Sequence, residues 1–474
     1  MERIWSDMQG KITDAVLYKK IYRYFMQKLF ISFLFLVVSV NAQSQFAVSA
    51  NKHFLLKNGK PFFWMGDTAW ELFHRLDREE ADRYLKRRSE QGFTVIQAVV
   101  LAEMDGLHTP NAYGETPLLN DDPATPNEKY FQHIDYIIDK ANEYNLTIGL
   151  LPTWGDKINK DKWGTGPEIF NEKNAAVYGA WIANRYKNKT NIIWILGGDR
   201  NPRNEKDVAI WNAMGNAIKK ATDNKAMISF HPQPNETGSA QWFHNEAWLD
   251  FNMFQNGHCR DMNVYDKIAV VYSMKPAKPV MDAEVLYEDH PVCFNVKDLG
   301  TSNAYDVRKY AYLDLFAGAH GHTYGCHDTW QMYSPKREGV NGPHIFWQQA
   351  MELPGANQMI FVKNLILSHP FLERVPDQSL IVENNLAASG HIQATRGKDY
   401  LFVYSSEGKP FTVKLNKISG DTLQAYWYDP KSGKSKETMI VANKGSMKFT
   451  PPSSGYGQDW VLVMDDYLKK YRKL

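Results

Sequence analysis

The chain is poor in cysteine, carries no run of like charge and contains no glycine-rich phosphate turn. Its three cysteines, Cys259, Cys293 and Cys326, are widely spaced and include no CxxC pair. This excludes a disulfide framework and a thiolate metal site. One pair can bridge in an oxidising compartment, and the odd count leaves at least one thiol free or intermolecular. Lys plus Arg number 55 against 53 Asp plus Glu, a formal charge of +2. Without a concentrated basic footprint, nucleic acid is not an expected partner. The segment Gly66-Asp67-Thr68-Ala69-Trp70 lacks the spacing of a dinucleotide turn, and its Trp would crowd a pyrophosphate. Internal repeats and low-complexity tracts are absent.

Long apolar runs are equally scarce. The one candidate, Leu29 to Val40, is shorter than the ~20 residues a membrane span needs. It follows Met26-Gln-Lys28 and precedes Val40-Asn-Ala42, a small-residue cleavage pattern, so 26–42 reads as a signal peptide and 1–25 as an overlong start. No Cys follows the run, which argues against a lipid anchor. The expected location is the periplasm or cell surface of a bacterium, with no membrane span left after cleavage.

What the chain has in quantity is aromatic: 14 Trp, 25 Tyr and 24 Phe. Flat amphipathic rings suit a carbohydrate cleft, although large cores consume them too. From residue 62 to 367, β-branched or apolar runs alternate with helical periods. The strands expected are Phe62 to Met65, Phe93 to Val100, Leu146 to Leu151, Ile192 to Leu196, Ala226 to Phe230, Phe251 to Phe254, Pro279 to Ala283 and His322 to Tyr324. Eight such units predict an α/β fold, a (β/α)8 TIM barrel over 46–372, with an open doubly wound sheet as the alternative. From 374 to 474 short alternating strands separated by Gly, Pro and Asp turns predict a small all-β sandwich domain. Within it, Tyr426, Trp427 and Tyr428 read either as a sugar platform or as half core.

A barrel's site gathers at the C-terminal ends of its strands. There the pattern places Asp67, Gln97, Trp154, Asp199, His231, Asn256, Glu284 and Tyr324. Asp199 ends Asn191-Ile-Ile-Trp-Ile-Leu-Gly-Gly-Asp199, and Glu284 ends Pro279-Val-Met-Asp-Ala-Glu284. Two strand-end carboxylates, after strands four and seven on opposite sides of a ring, fit glycoside hydrolysis. One group must protonate the leaving oxygen while the other stabilises or attacks the anomeric carbon. The expected roles are Asp199 as general acid/base, its pKa raised by burial and by Glu284, and Glu284 as nucleophile. Gly197 and Gly198 would let backbone approach the sugar. The structural alternatives are a helix cap or an ion pair with Arg200 or Arg203 for Asp199, and a paired structural carboxylate for Glu284.

Substrate contacts are expected from Asp67, Trp70, Gln97, Trp154, Arg200, His231, Asn256, His258, Tyr324, His327 and Trp330. Asp67 reads equally as a helix cap and Trp154 also as core. The run His320-Gly-His-Thr-Tyr-Gly-Cys-His327-Asp328 raises a metal-dependent hydrolase as an alternative, but no HExxH accompanies it, so neither metal nor cofactor is expected. A further alternative is a barrel that binds carbohydrate without catalysis.

Four segments in order carry a family resemblance: Phe62-Phe-Trp-Met-Gly-Asp-Thr-Ala-Trp70, Trp194-Ile-Leu-Gly-Gly-Asp-Arg-Asn201, Pro279-Val-Met-Asp-Ala-Glu284 with His290-Pro291, and Ala319-His-Gly-His-Thr-Tyr-Gly325. Together they resemble the apiosidase-like barrels of glycoside hydrolase family 140, over about residues 46 to 370. Residues 374 to 470 resemble the collagen-binding-type β domain often fused to that barrel. The resemblance implies a secreted bacterial enzyme acting on plant cell-wall pectin, cutting apiose linkages in rhamnogalacturonan-II side chains. It implies Asp199 as the acid and Glu284 as the nucleophile. Related barrel hydrolases more often carry Asn-Glu where this chain has Gly198-Asp199.

Overall fold

The computed structural model describes residues 23–24, 46–382, 386 and 388–474; the leader expected over 26–42 lies outside the described residues. Among the described residues no helix is long and apolar enough to cross a membrane.

The segment before the barrel is a three-stranded antiparallel sheet, β1 (Phe46–Val48), β2 (Leu55–Lys57) and β3 (Lys60–Phe62). The barrel strands are β4 (Trp64–Thr68), β5 (Val95–Leu101), β6 (Thr147–Thr153), β7 (Ile192–Gly197), β8 (Ile228–His231), β9 (Asn252–Phe254), β10 (Val280–Asp282) and β11 (Gly321–Tyr324). They run parallel in the order β8-β7-β6-β5-β4-β11-β10-β9. At the seam, the Asp250 amide donates to the Ile228 carbonyl at 2.9 Å and Ser229 Oγ to the Phe251 carbonyl at 2.6 Å. Every residue of these strands is buried, as expected for parallel strands covered on both faces.

The helices begin earlier than apolar periodicity alone predicts, because their first turns are set by polar caps. Asn171 and Asn174 form a capping box that starts Glu172–Tyr186, and Asn204 caps Glu205–Ala221. Pro354 opens Pro354–Leu367 at a position where a missing N–H costs nothing. At their C-terminal ends β4 runs on through Gly66, Asp67 and Thr68 and β5 reaches Leu101, whereas β4, β5, β8 and β9 start later than expected and β10 is trimmed to Val280–Asp282.

The C-terminal β domain has a six-stranded sheet, β12 (Val375–Pro376), β13 (Ile392–Arg396), β14 (Tyr400–Ser405), β16 (Thr422–Asp429), β17 (Lys434–Ala442) and β19 (Trp460–Asp466), in the order β12-β13-β14-β19-β16-β17. A two-stranded sheet, β15 (Phe411–Lys414) with β18 (Ser446–Phe449), faces it. The strand period sorts its side chains into two cores. Leu401, Val403, Trp427, Leu462 and Met464 fill the interior of the β domain. Tyr400, Phe402, Tyr404, Tyr426 and Tyr428 join the barrel's own hydrophobic core. The expected alternative of a sugar platform at Tyr426, Trp427 and Tyr428 is therefore corrected, since all three rings are buried.

The junction is tied by charge as well. Arg308, on helix Ala304–Phe316, donates to both carboxylate oxygens of Asp459 at 2.9 and 2.6 Å, and both residues are buried. Tyr312 stacks on Tyr404 at 4.9 Å, and His369 reaches Asp465 at 2.9 Å. Removing one member of a buried pair leaves an uncompensated charge, which costs about 3–5 kcal/mol. Arg308→Ala is expected to lower stability by about that amount in denaturant unfolding, and Arg308→Met with Asp459→Leu to restore most of it.

Candidate active site

The C-terminal ends of the barrel strands surround a cleft of about 1090 Å³. Asp199 and Glu284 both line it, together with Trp70, Trp154, His258 and Trp330. Of the expected contacts these are the ones the fold brings to the cleft wall.

Asp199 is reached through three consecutive residues with positive φ: Gly197 at 86°, Gly198 at 112° and Asp199 itself at 48°. Both glycines are required by their own protein surroundings. A Cβ on Gly197 would lie 2.3 Å from the His231 carbonyl oxygen, and one on Gly198 would lie 2.6 Å from the Trp154 ring. The Gly198 amide donates to that same His231 carbonyl at 2.8 Å. The turn thus presses Asp199 against the end of β8 and leaves its side chain partly open to the cleft. Arg200 donates to Asp199 Oδ2 at 3.0 Å, and the indole N–H of Trp163 lies 3.4 Å from the same oxygen. Arg203 pairs elsewhere, with Glu168 and Asp207. Burial first, and the charge of Glu284 second, push the Asp199 carboxyl up to about 6 despite Arg200.

Glu284 follows β10 in the opposite electrostatic state. Burial would raise its carboxyl, but contacts with His231 and His258 overcome that and hold it well below the ordinary range. His231 Nε2 is 3.1 Å from Oε2 and His258 Nε2 is 3.4 Å from Oε1. Tyr287 also bonds to Glu284, and its hydroxyl accepts from Trp70 Nε1 at 3.1 Å. Asp199 and Glu284 do not stand on opposite sides of the ring. They are separated through β8 and β9 only, and His231, the last residue of β8, sits between them.

Several expected contacts lie beneath the cleft instead. Asp67 is fully buried inside β4, where Arg88 Nε donates to Oδ2 at 2.6 Å and Tyr84 donates to the same oxygen. Gln97 is mid-strand in β5 and gives its side-chain N–H to the Ala283 carbonyl at 3.0 Å. Asn256 donates to Asp282 at 2.5 Å, and Tyr324 donates to Glu288 at 2.6 Å. None of these four lines the cleft: each is bonded inside the barrel through at least one polar atom, while Asp67 Oδ1 and Asn256 Oδ1 stay buried without a hydrogen bond. His231 and Arg200 act on the two carboxylates. His327 is buried behind Trp330, whose Nε1 lies 3.4 Å from its Nδ1, and faces the Asn341 carbonyl at 3.2 Å. His320 and His322 are both fully buried, the latter 2.9 Å from Asp314, and they do not converge on the cleft.

The sequence reading missed other cleft residues. Glu103 lies two residues past β5, and burial, then Glu71 and Asp199, raise its carboxyl well above the ordinary range. Extending the apolar run Val99 to Ala102 would have found it. Trp163, in a polar loop, is exposed on the wall, and Arg200 lies over its ring at 5.2 Å. His290 and Phe294 enter from the loop after β10. That loop is stapled to the loop after β9 by the Cys259–Cys293 disulfide, while Cys326 stays free and buried. The Cys293 amide donates to the His258 carbonyl at 2.7 Å, so the staple also fixes the imidazole on Glu284.

Comparison with known proteins places this geometry. Residues 49–373 match the family model "Apiosidase-like, catalytic domain", and residues 375–465 match "Putative collagen-binding domain of a collagenase". A solved glycoside hydrolase family 5 structure from Bacteroides vulgatus ATCC 8482 is similar at 36% identity and TM-score 0.83, over 90% of this chain and 94% of that one. A second structure, described as a glycoside hydrolase, has 36% identity and TM-score 0.82 over 91% and 99% of the two chains. Another from Bacteroides vulgatus, at 16% identity and TM-score 0.66, shares the fold. Comparison with curated proteins finds no match. A two-module match along the chain, a barrel whose strand ends carry paired carboxylates and two solved relatives at this identity lead to one conclusion: the chain belongs to the apiosidase-like family and is a glycoside hydrolase.

Proposed function

We propose that the protein is an exported, retaining glycoside hydrolase that cuts apiose linkages in the rhamnogalacturonan-II side chains of plant pectin. The observation that carries the catalytic part is the electrostatic asymmetry of one pair on one cleft. Asp199 is pushed up to about 6 by burial and by Glu284, while Glu284 is held as an anion by His231 and His258. Two carboxylates with separated titrations divide into an acid and a nucleophile. Asp199 gives its proton to the glycosidic oxygen as the bond to the anomeric carbon breaks, and Glu284 Oε forms the glycosyl ester. Asp199, now anionic, takes a proton from the water that hydrolyses that ester and is restored.

The substrate part of the reading rests on the family match and on the wall. Trp70, Trp154, Trp163 and Trp330 offer ring faces to a sugar, and His258 offers a polar edge beside Glu284. Tyr287 and His231 orient the nucleophile. Arg200 and the Trp163 indole stabilise the Asp199 anion that forms when the proton leaves.

Asp199→Asn is expected to lower kcat/KM on the natural glycan by about 10²–10⁴-fold, the span a general acid contributes, with thermal unfolding nearly unchanged. An aryl glycoside with a good leaving group should lose far less, because its departure needs no proton. Glu284→Gln should abolish turnover on both substrates; retention on either would remove it as nucleophile.

The pH profile follows from the sign of the Asp199 shift. The acid must hold its proton, so kcat/KM is expected to fall as pH rises through about 6, tenfold per unit beyond it. An Asp199→Asn profile lacking that limb on the aryl substrate would assign the limb.

Digestion of defined pectic oligosaccharides, followed by proton NMR of the first sugar released, tests substrate and stereochemistry together. Release of apiose with its anomeric configuration kept is the expected result. Inversion would convert Glu284 from nucleophile to base.

A further inference from the structure

Asp289, Asp328 and His344 come together behind the rim of the cleft from three separate segments: the loop after β10, the short helix His327–Trp330 and the loop that follows it. One ligand-capable atom from each lies within 4.8 Å of the other two. Asp328 is fully buried. Its Oδ1 accepts the backbone N–H groups of His344 at 2.9 Å and Ile345 at 3.0 Å, while its Oδ2 has no hydrogen-bond partner. Asp289 Oδ2 is likewise buried without a hydrogen bond, and His344 Nε2 stands 3.4 Å from it.

Two features of this cluster call for a ligand. First, facing carboxylates inside a protein cannot both ionise without a cation, and among the described residues no lysine or arginine pairs with either one. Second, the 3.4 Å spacing is long for a charge-assisted hydrogen bond, which spans about 2.7–2.9 Å. It suits two ligands on one ion, since bonds of about 2.0–2.2 Å in a tetrahedron set the ligand atoms about 3.3–3.6 Å apart.

We propose that Asp289, Asp328 and His344 bind one divalent first-row cation of the zinc class, which pins the rim segment 338–344 to the barrel. The donor set decides the metal: an imidazole with two carboxylates suits zinc, whereas calcium and magnesium take oxygen ligands. Two carboxylates and one divalent ion also leave the cluster neutral. The fourth ligand is water. The cation is structural, because the three side chains stand behind the cleft wall, whereas Glu338, Gly339, Val340 and Asn341 of the pinned segment form part of it. The site is independent of the roles assigned to Asp199 and Glu284.

The test uses the full chain, stripped with EDTA, desalted and loaded with zinc alone. One zinc per chain should survive a second desalting in elemental analysis, and the thermal midpoint should rise with zinc but not with calcium or magnesium. His344 is largely exposed, so His344→Ala folds readily and should lose both the retained zinc and the zinc-dependent rise. Asp289→Asn should lose them too, while its metal-free midpoint holds or increases as the carboxylate repulsion disappears. No retained zinc in the natural chain, or zinc retained equally by both variants, overturns the proposal.

Discussion

One imidazole holds the two halves of the active site in register. His231 ends β8, between the strands that deliver Asp199 and Glu284, and touches both. The Asp199 amide donates toward its Nδ1 at 3.4 Å, which makes Nδ1 the acceptor and leaves Nε2 to carry the hydrogen that faces Glu284. Its backbone carbonyl receives the Gly198 amide. The position of the acid's backbone and the tautomer presented to the nucleophile are thus one constraint. The Gly197-Gly198-Asp199 turn with positive φ throughout is what satisfying it costs locally, of order 1–3 kcal/mol for the non-glycine residue.

Below this contact the barrel mouth is a stack of spent polar groups. Asn256 is held on Asp282, Tyr324 on Glu288, and Asp67 on Arg88 and Tyr84. Each of these contacts ties a strand end or loop to its neighbour, and of the groups named only Asp67 Oδ1 and Asn256 Oδ1 are buried without a hydrogen bond. The cleft above differs in kind: rings line its walls, and its two central carboxyls are driven apart, Asp199 by burial and Glu284, and Glu284 by His231 and His258.

The architecture was legible because parallel strands buried on both faces write continuous apolar runs, and the eight of them could be counted. The pair Asp199 and Glu284 was legible because each carboxylate ends such a run. What misled was the assumption that a strand stops where β-branched residues stop. Gly66, Asp67 and Thr68 continue β4, which buries Asp67, and β5 runs one residue past the expected Val100 to Leu101, with Gln97 in mid-strand and Glu103 just beyond its end. Trp163, His290, Phe294 and the Asp289, Asp328 and His344 cluster sit in loops, where no period marks which side chain turns inward. Their meeting depends on long-range closure, including the Cys259–Cys293 link.

The family boundary between residues 373 and 375 falls where sequence pattern changes, but hydrophobic burial does not respect it. Phe316 and Tyr312 on the barrel side and Phe402, Tyr404, Tyr426 and Tyr428 on the other belong to one dry interior. A chain ending at that boundary would turn this shared aromatic layer into an exposed sticky face and strand Arg308 without its counter-ion. Two modules matched by separate family models here make up one compact unit.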